Sequence, residues 1–145
     1  MAELTEQRTR PAMAVTNQAS NVVQAYRLLR LAFVAAPTLA GLDKFARVLT
    51  NWDGYLAPQV AHLLPIPVRT FMMIVGAIEI VVGLIVAVRP KVGASIVSLW
   101  LLLIIVNLLL LGRFYDIALR DFGLMLAALA LGRLADAVPQ RRMVV

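Results

Sequence analysis

Residues 69–88 read RTFMMIVGAIEIVVGLIVAV, and this stretch decides how the rest of the chain is interpreted. It is almost wholly apolar over about 20 residues, the length that an α-helix needs to cross a hydrocarbon core of roughly 30 Å. One carboxylate, Glu79, lies near its middle, and Gly76 and Gly83 fall on the same helical face. Small residues allow another helix to approach closely, and an acid inside a membrane requires a polar partner. The stretch therefore predicts a membrane-spanning helix whose Glu79 faces other helices.

The composition of the whole chain agrees with this interpretation. Of its 145 residues, 61% are hydrophobic, whereas soluble domains contain about 45–50% apolar residues. The excess is gathered into long runs, which indicates an integral membrane protein. The chain is long enough for several such helices and leaves no room for a separate soluble catalytic domain.

The sequence contains no cysteine and a single histidine, His62. The lack of cysteine excludes disulfides, thiolate nucleophiles and iron–sulfur ligation by this chain, and one histidine excludes a bis-histidine haem. His62 lies in a proline-containing connection and is interpreted as a surface residue. We therefore expect no metal site and no intrinsic cofactor, and we do not expect the chain to act as an enzyme on its own.

The net charge of +6 raises the question of an acidic partner. The basic residues cluster at the ends of the apolar runs, where lysine and arginine set membrane orientation and contact anionic lipid headgroups. This distribution predicts the lipid bilayer, rather than nucleic acid, as the partner of the basic side chains.

The polarity pattern divides the chain into three parts. Residues 1–21 form a disordered polar tail, residues 22–135 a transmembrane domain and residues 136–145 a basic tail. Within the domain, apolar runs predict four helices, at residues 26–48, 69–88, 92–111 and 115–134. The last two connections are short, which makes the helices that they join antiparallel neighbours. We therefore predict an all-α, up-down four-helix bundle, with a short interfacial helix at residues 58–64.

The basic residues also predict the orientation of this bundle. Nine of the 14 lysines and arginines fall on the side of the two termini, and the other five are Lys44, Arg47, Arg69, Arg113 and Arg120. Cytoplasmic connections carry the excess of basic residues. Both termini are therefore expected in the cytoplasm, with the long connection over residues 51–67 on the outside.

Polar residues recur at similar depths in the predicted helices. With a rise of about 1.5 Å per residue, every helix brings at least one polar group to the outer half of the bundle. These groups are Lys44, Glu79, Asn107, Arg120 and Asp121. Their formal charges balance, which lowers the cost of burying them. We predict an intramembrane polar network that either fixes the register of the helices or forms a ligand or proton pathway. A third alternative is that Lys44, Arg120 and Asp121 lie at the membrane interface and are hydrated.

Further residues are candidates for lining a ligand pocket beside this network. They are Gly41, Gly76, Gly83, Trp52, Tyr55 and Trp100. The aromatic side chains also suit a membrane interface, and the glycines also suit close helix contacts. The sequence leaves these alternatives open.

Three short segments of the predicted helices resemble the DoxX-like family of small four-helix membrane proteins. The first helix ends in GLDKF at residues 41–45, the second carries AIEIVVGL at 77–84, and the fourth carries RDFGL at 120–124 in its first half. The resemblance covers about residues 26–134 and matches the polar positions Lys44, Glu79, Arg120 and Asp121. It implies a multi-pass protein of the bacterial inner membrane. Some members resemble the small membrane subunit of thiosulfate:quinone oxidoreductase, and others associate with oxidoreductases in redox-stress complexes.

The function that follows as an expectation is that of a membrane subunit or accessory protein of a quinone-linked or redox-stress oxidoreductase complex. It would anchor a partner protein, or a second copy of itself, and shape a pocket for a quinone head in the outer half of the bilayer. Two alternatives remain. One is a small proton-coupled transporter that uses Glu79, and the other is a structural or assembly protein that binds no ligand.

Overall fold

The computed structural model describes the backbone of residues 2–138 and the side chains of residues 20–138. All regular structure in this part of the chain is helical, as the sequence predicts. In chain order the elements are α1 (Ala2–Ala46), a 3₁₀ helix (Trp52–Tyr55), α2 (Pro58–Ala61), α3 (Val68–Val88), α4 (Pro90–Leu111) and α5 (Tyr115–Ala137). Residues 139–145, most of the predicted basic tail, lie outside the described residues.

Proline and glycine set the ends of α3 and α4. A single residue, Arg89, separates the two helices, and Pro90 is the first residue of α4. Proline is tolerated there because the first turn of a helix does not use its backbone N–H groups for internal bonds. α4 ends at Gly112, which has a φ of 69°. A residue without a Cβ adopts this left-handed conformation at little cost and stops the helix.

The four long helices alternate in direction. α1 runs beside α3, and α4 runs beside α5. The Arg30 guanidinium, early in the apolar part of α1, donates to the carbonyl of Ala87 at the end of α3. At the same end, Lys91 of α4 forms an ion pair of 2.8 Å with Asp136 of α5. We call this end, where Arg89 joins α3 to α4, the turn end, and the opposite end, which carries residues 47–67, the loop end.

Two glycines bring the backbones of α1 and α3 into direct contact. A Cβ atom on Gly41 would lie 2.5 Å from the carbonyl oxygen of Gly76, and a Cβ atom on Gly76 would lie 2.7 Å from the carbonyl oxygen of Gly41. Neither position has room for a side chain. Gly83, one of the predicted contact residues, faces Thr38 and Val34 of α1. The close approach predicted from the small residues is therefore observed between these helices.

The hydrophobic core lies at the turn end. Tyr26 of α1, Val86 of α3 and Leu131 of α5 are each fully buried there. They belong to one cluster with apolar residues of α4, including Ala94 and Val97. Tight apolar packing therefore joins all four long helices at the end opposite the long connection.

Three helical segments are long and apolar enough to cross a membrane among the described residues. They are Ser20–Ala46 within α1, together with α3 and α4. α5 has 23 residues but carries five charged side chains, and it does not fall in this set. Leu, Val and Ile side chains on the outer faces of the helices are exposed. These features indicate a membrane protein whose apolar surfaces contact the lipid bilayer.

The structure differs from the predicted boundaries in two places. α1 begins at Ala2, so helical backbone runs through the residues that the sequence assigns to a tail; the division into tail and domain stays a prediction. The interfacial helix predicted at 58–64 is shorter, because α2 ends at Ala61. A 3₁₀ helix precedes it, capped by the Asn51 side chain, which accepts a bond of 3.3 Å from the Asp53 amide.

Candidate functional site

A buried ion pair joins α1 to α3. The Nζ atom of Lys44 lies 2.6 Å from Oε2 of Glu79, and the two side chains are only 4% and 7% exposed. Side chains lean toward the N-terminus of their own helix. Because α1 and α3 are antiparallel and touch at Gly41 and Gly76, Lys44 and Glu79 lean toward each other. The glycine contact thus brings the two charges together.

Two indole rings contact this ion pair. The Lys44 ammonium lies 3.8 Å from the centroid of the Trp52 ring, within the range of a cation–π contact. At the other partner of the pair, Nε1 of Trp100 donates to Oε1 of Glu79 at 3.5 Å. Trp52 comes from the loop end and Trp100 from the middle of α4. Indole rings from two other parts of the chain therefore contact the ion pair, Trp52 through its ring face at Lys44 and Trp100 through its N–H at Glu79.

Asp43 fixes the position of Trp52. Its carboxylate accepts hydrogen bonds from the amides of Val48 and Leu49 at 2.8 and 3.0 Å, and from Nε1 of Trp52 at 2.7 Å. It thereby satisfies the backbone just after α1 and holds the indole over Lys44. Asp43 is not among the site residues predicted from the sequence. An acidic residue in the last turn of a helix interacts unfavourably with the helix dipole. Its presence there is the feature of the sequence that indicates a role for Asp43 in binding other groups.

Asn107 anchors the loop end to α4. Its Oδ1 accepts from the Ala57 amide at 3.0 Å, and its Nδ2 donates to the Tyr55 carbonyl at 2.6 Å. Gln59 of α2 adds a bond of 3.3 Å to the carbonyl of Leu110. The predicted network residue Asn107 therefore binds loop backbone, and it positions Trp52 and Tyr55 at the edge of the site.

A second ion pair lies within α5. Both Nε and a terminal nitrogen of Arg120 lie 2.9 Å from Oδ1 of Asp121. The Asp121 side chain is 5% exposed, whereas that of Arg120 is 63% exposed. Because the partners are adjacent in sequence, this pair does not join two helices. Asp121 thus faces the interior while Arg120 reaches outward from the same turn.

A cavity of about 410 Å³ connects these groups at the loop end. Its polar lining is Lys44, Thr50, Trp52, Tyr55, Glu79, Trp100, Asn107, Arg120 and Asp121. Most of the remaining wall is apolar and includes Phe33, Val82, Val97, Leu101, Ile104 and Leu108. All five predicted network residues and all three predicted aromatic residues therefore meet at one cavity.

The glycines predicted to line a pocket are placed elsewhere. Gly41, Gly76 and Gly83 do not line the cavity and lie instead in the contact between α1 and α3. The close packing of α1 against α3 leaves no room for a side chain at any of the three positions. The sequence left two interpretations open for these glycines, pocket lining and close helix contact, and the structure shows the helix contact.

Within the part of the chain that the structure describes, no group of three or more His, Cys, Asp or Glu side chains is arranged to hold a metal ion. His62 is exposed, directly after α2. The polar side chains at the cavity are two charge-paired carboxylates, two basic groups, an amide, the Thr50 hydroxyl and aromatic N–H and O–H groups.

No protein-family model matches the chain, and no match is found among curated proteins or among solved structures. The resemblance to the DoxX-like family therefore rests on the three short motifs and stays a prediction.

Proposed function

We propose that the protein is a four-helix transmembrane bundle of the bacterial inner membrane, similar to the DoxX-like family, that binds a quinone head in the loop-end cavity. In this role it serves as a membrane subunit or accessory protein of a quinone-linked or redox-stress oxidoreductase complex. The observation that carries the proposal is the cavity, in which an apolar chamber ends in a buried ion pair that two indole rings contact.

The chamber matches the chemistry of a quinone head. Small-molecule sites are mostly apolar, measure about 300–1,000 Å³ and carry a few well-placed polar groups; this cavity of about 410 Å³ is of that kind. A quinone ring is flat and apolar and has carbonyl oxygens that only accept hydrogen bonds. Lys44 and Arg120 carry further N–H donors beyond those bound to their carboxylate partners. The Trp52 and Trp100 rings supply flat surfaces beside the ion pair.

The carboxylates supply proton-accepting groups at the same cavity. Glu79 and Asp121 both line it, and both are buried. A bound quinone would supply two-electron, two-proton redox capacity. The chain's own residues would orient its head, exclude water from it and hold protons on the two carboxylates. The chain has no cysteine, and a partner oxidoreductase is proposed as the source or acceptor of electrons.

The charged residues of α5 are compatible with a fourth spanning helix. Asp121 is paired with Arg120, and Asp136, near the turn end, is paired with Lys91. Paired charges are much less costly to bury than isolated ones. The greater number of basic residues falls toward the turn end and the termini, which supports cytoplasmic termini. In this orientation the cavity lies in the outer half of the bilayer.

The proposal is tested by purifying the protein from native membranes and identifying bound quinone and associated chains by mass spectrometry. We expect a quinone and an oxidoreductase partner with the wild type, and loss of the quinone with Lys44→Met. The matched control is Arg47→Met, which removes the partner of Asp53 in an ion pair outside the cavity and is expected to retain the quinone. Recovery of neither quinone nor oxidoreductase would overturn the proposal.

The two carboxylates at one cavity also favour a second candidate, a proton-coupled transporter. In proteoliposomes this function predicts proton flux that Glu79→Gln abolishes. Equal background flux with the wild type and with Glu79→Gln would remove this candidate and leave the quinone proposal unaffected.

A further inference from the structure

Part of the cavity wall is reachable from the outside of the protein. Ala32 and Ala36 of α1 both line the cavity and are exposed on the protein surface. The same is true of Arg120 and Leu124 of α5. A residue that borders an internal chamber and also the outer surface marks the mouth of that chamber. Leu49, in the connection after α1, also lines the cavity and is exposed, so the chamber reaches the surface at the loop end as well. The other four residues come from α1 and α5. A second mouth therefore lies in the gap between these two helices.

The packing of α1 against α5 explains why a gap is present. The two helices meet in the core at the turn end, where Tyr26 and Phe33 belong to one cluster with Ala128, Leu131 and Ala135. Toward the loop end, α1 and α5 both contribute residues to the cavity lining. Four of the six α1 residues that line the cavity are small or lack a flexible side chain, namely Ala32, Ala36, Pro37 and Ala40; the other two are Phe33 and Lys44. The helices are thus held together at one end and separated by the chamber at the other.

The gap opens at the depth of the hydrocarbon core. Ala36 precedes the end of α1 at Ala46 by ten residues, which places it about 15 Å from that end. Leu124 follows the start of α5 at Tyr115 by nine residues, which places it about 14 Å from the same end of the protein. Leu39 and Leu119, on the outer surfaces of the same two helices, are exposed. A molecule that passes between Ala36 and Leu124 therefore comes from lipid rather than from water.

We propose that the α1–α5 gap is a lateral portal for a membrane-dissolved ligand that has an acceptor head and a long hydrocarbon tail, as a prenylated quinone has. The head lies in the cavity near Lys44, and the tail leaves between Ala36 and Leu124 into the bilayer. Arg120, at the mouth, presents N–H donors to the head as it passes. This inference rests on the proposed quinone site and adds to it the class of quinone and the route by which it enters.

The portal is tested with substitutions that fill it. Ala36→Trp places a large ring in the gap, and Ala77→Trp is the matched control, because Ala77 is exposed on α3 and does not line the cavity. Each variant is reconstituted in nanodiscs, and binding is measured for a prenylated naphthoquinone and for the same naphthoquinone without its tail. We expect Ala36→Trp to weaken binding of the tailed ligand by about tenfold or more and that of the tail-less ligand by less than about twofold. Ala77→Trp should change neither.

A second measurement uses the wild-type protein, so its result does not depend on whether a variant folds. A prenylated quinone with a photoreactive diazirine in its tail is irradiated in nanodiscs, and the adducts are located by mass spectrometry. Adducts at Ala32, Ala36 or Leu124 are expected. Adducts confined to Ile78 and Leu84, on the exposed face of α3, would overturn the portal.

The outcomes separate the portal from the quinone site itself. If the wild type binds neither ligand, the proposed function fails and the portal with it. If the wild type binds both ligands and Ala36→Trp weakens neither, the quinone site stands and the portal is wrong. If Ala36→Trp weakened the binding of both ligands equally, the portal would also be contradicted, because the tryptophan ring would then occupy the space of the quinone head.

Discussion

The two ends of the same four long helices are built differently. At the turn end, Tyr26, Val86 and Leu131 are fully buried in apolar packing. At the loop end the helices surround a cavity whose polar wall includes the buried Lys44–Glu79 pair. The turn end can therefore stabilise the fold while the loop end keeps the open space and the charged groups that a ligand site requires. The comparison teaches that close apolar packing and an open, charged cavity are separated along the helix axes.

The largest effect is expected from breaking the ion pair at the loop end. Lys44→Met leaves the buried Glu79 carboxylate without its cation, which should lower the free energy of unfolding by about 3–5 kcal/mol. The double variant Lys44→Met/Glu79→Gln removes both charges and should recover part of this loss, with an interaction free energy of up to about 3 kcal/mol. Reversible unfolding in detergent, followed by circular dichroism, measures both.

The control for this experiment is the exposed pair between Arg47 and Asp53. Arg47→Met should cost less than about 1 kcal/mol, because exposed ion pairs contribute little. Equal losses for Lys44→Met and Arg47→Met would contradict the view that the Lys44–Glu79 pair is buried between the helices.

The next largest effect concerns the contact that brings the two charges together. Gly41→Ala adds a Cβ atom 2.5 Å from the Gly76 carbonyl oxygen. The helices must then move apart, at an expected cost of about 1–3 kcal/mol. The matched control is Gly123→Ala, since a Cβ atom on Gly123 meets nothing within 4 Å; this substitution should stabilise α5 by up to about 1 kcal/mol. A neutral Gly41→Ala would show that α1 and α3 do not touch there.

These helix contacts also show how much of the molecule can be predicted from its sequence. Long apolar runs bounded by prolines and glycines predicted α3 and α4 to within two residues at either end. Depth counting placed Lys44 and Glu79 in one polar layer. It did not identify them as partners, because the rotation of each helix about its axis depends on the Gly41–Gly76 contact.

Other features of the site could not be predicted because they depend on how the loop end folds back. Asp43 binds Trp52 and the amides of Val48 and Leu49, and Asn107 binds the backbone of Tyr55 and Ala57. No periodicity in the sequence encodes these contacts. The gap between α1 and α5 was also not foreseen, since these helices are not joined by a short connection.

A local effect is expected at Asp43. Asp43→Ala removes the acceptor for the Val48 and Leu49 amides and for the Trp52 indole. These two amides should exchange with deuterium about tenfold faster than in the wild type, while the amides of the turn-end core should be unchanged. The control is Asp53→Ala, which removes an exposed ion pair of the same connection. Unchanged exchange at Val48 and Leu49 would contradict the anchoring role of Asp43.

The smallest effect is expected at the turn end. The Tyr26 hydroxyl is buried and has no hydrogen-bond partner among residues 20–138. Tyr26→Phe removes this unpaired group while the ring stays in place. The free energy of unfolding should rise by up to about 1 kcal/mol, as measured by the same detergent unfolding experiment. A loss of stability would show that the hydroxyl has a partner, and that the turn end is not a purely apolar core.

The central claim, that the loop end holds a quinone head beside its ion pair, is tested most directly by equilibrium binding of a tail-less naphthoquinone in nanodiscs. Wild-type protein and the Lys44→Met/Glu79→Gln variant are compared, because this variant removes both charges without leaving either unpaired. Saturable binding by the wild type, weakened about tenfold or more in the double variant, is predicted. No binding by the wild type, or equal binding by both proteins, would contradict the claim.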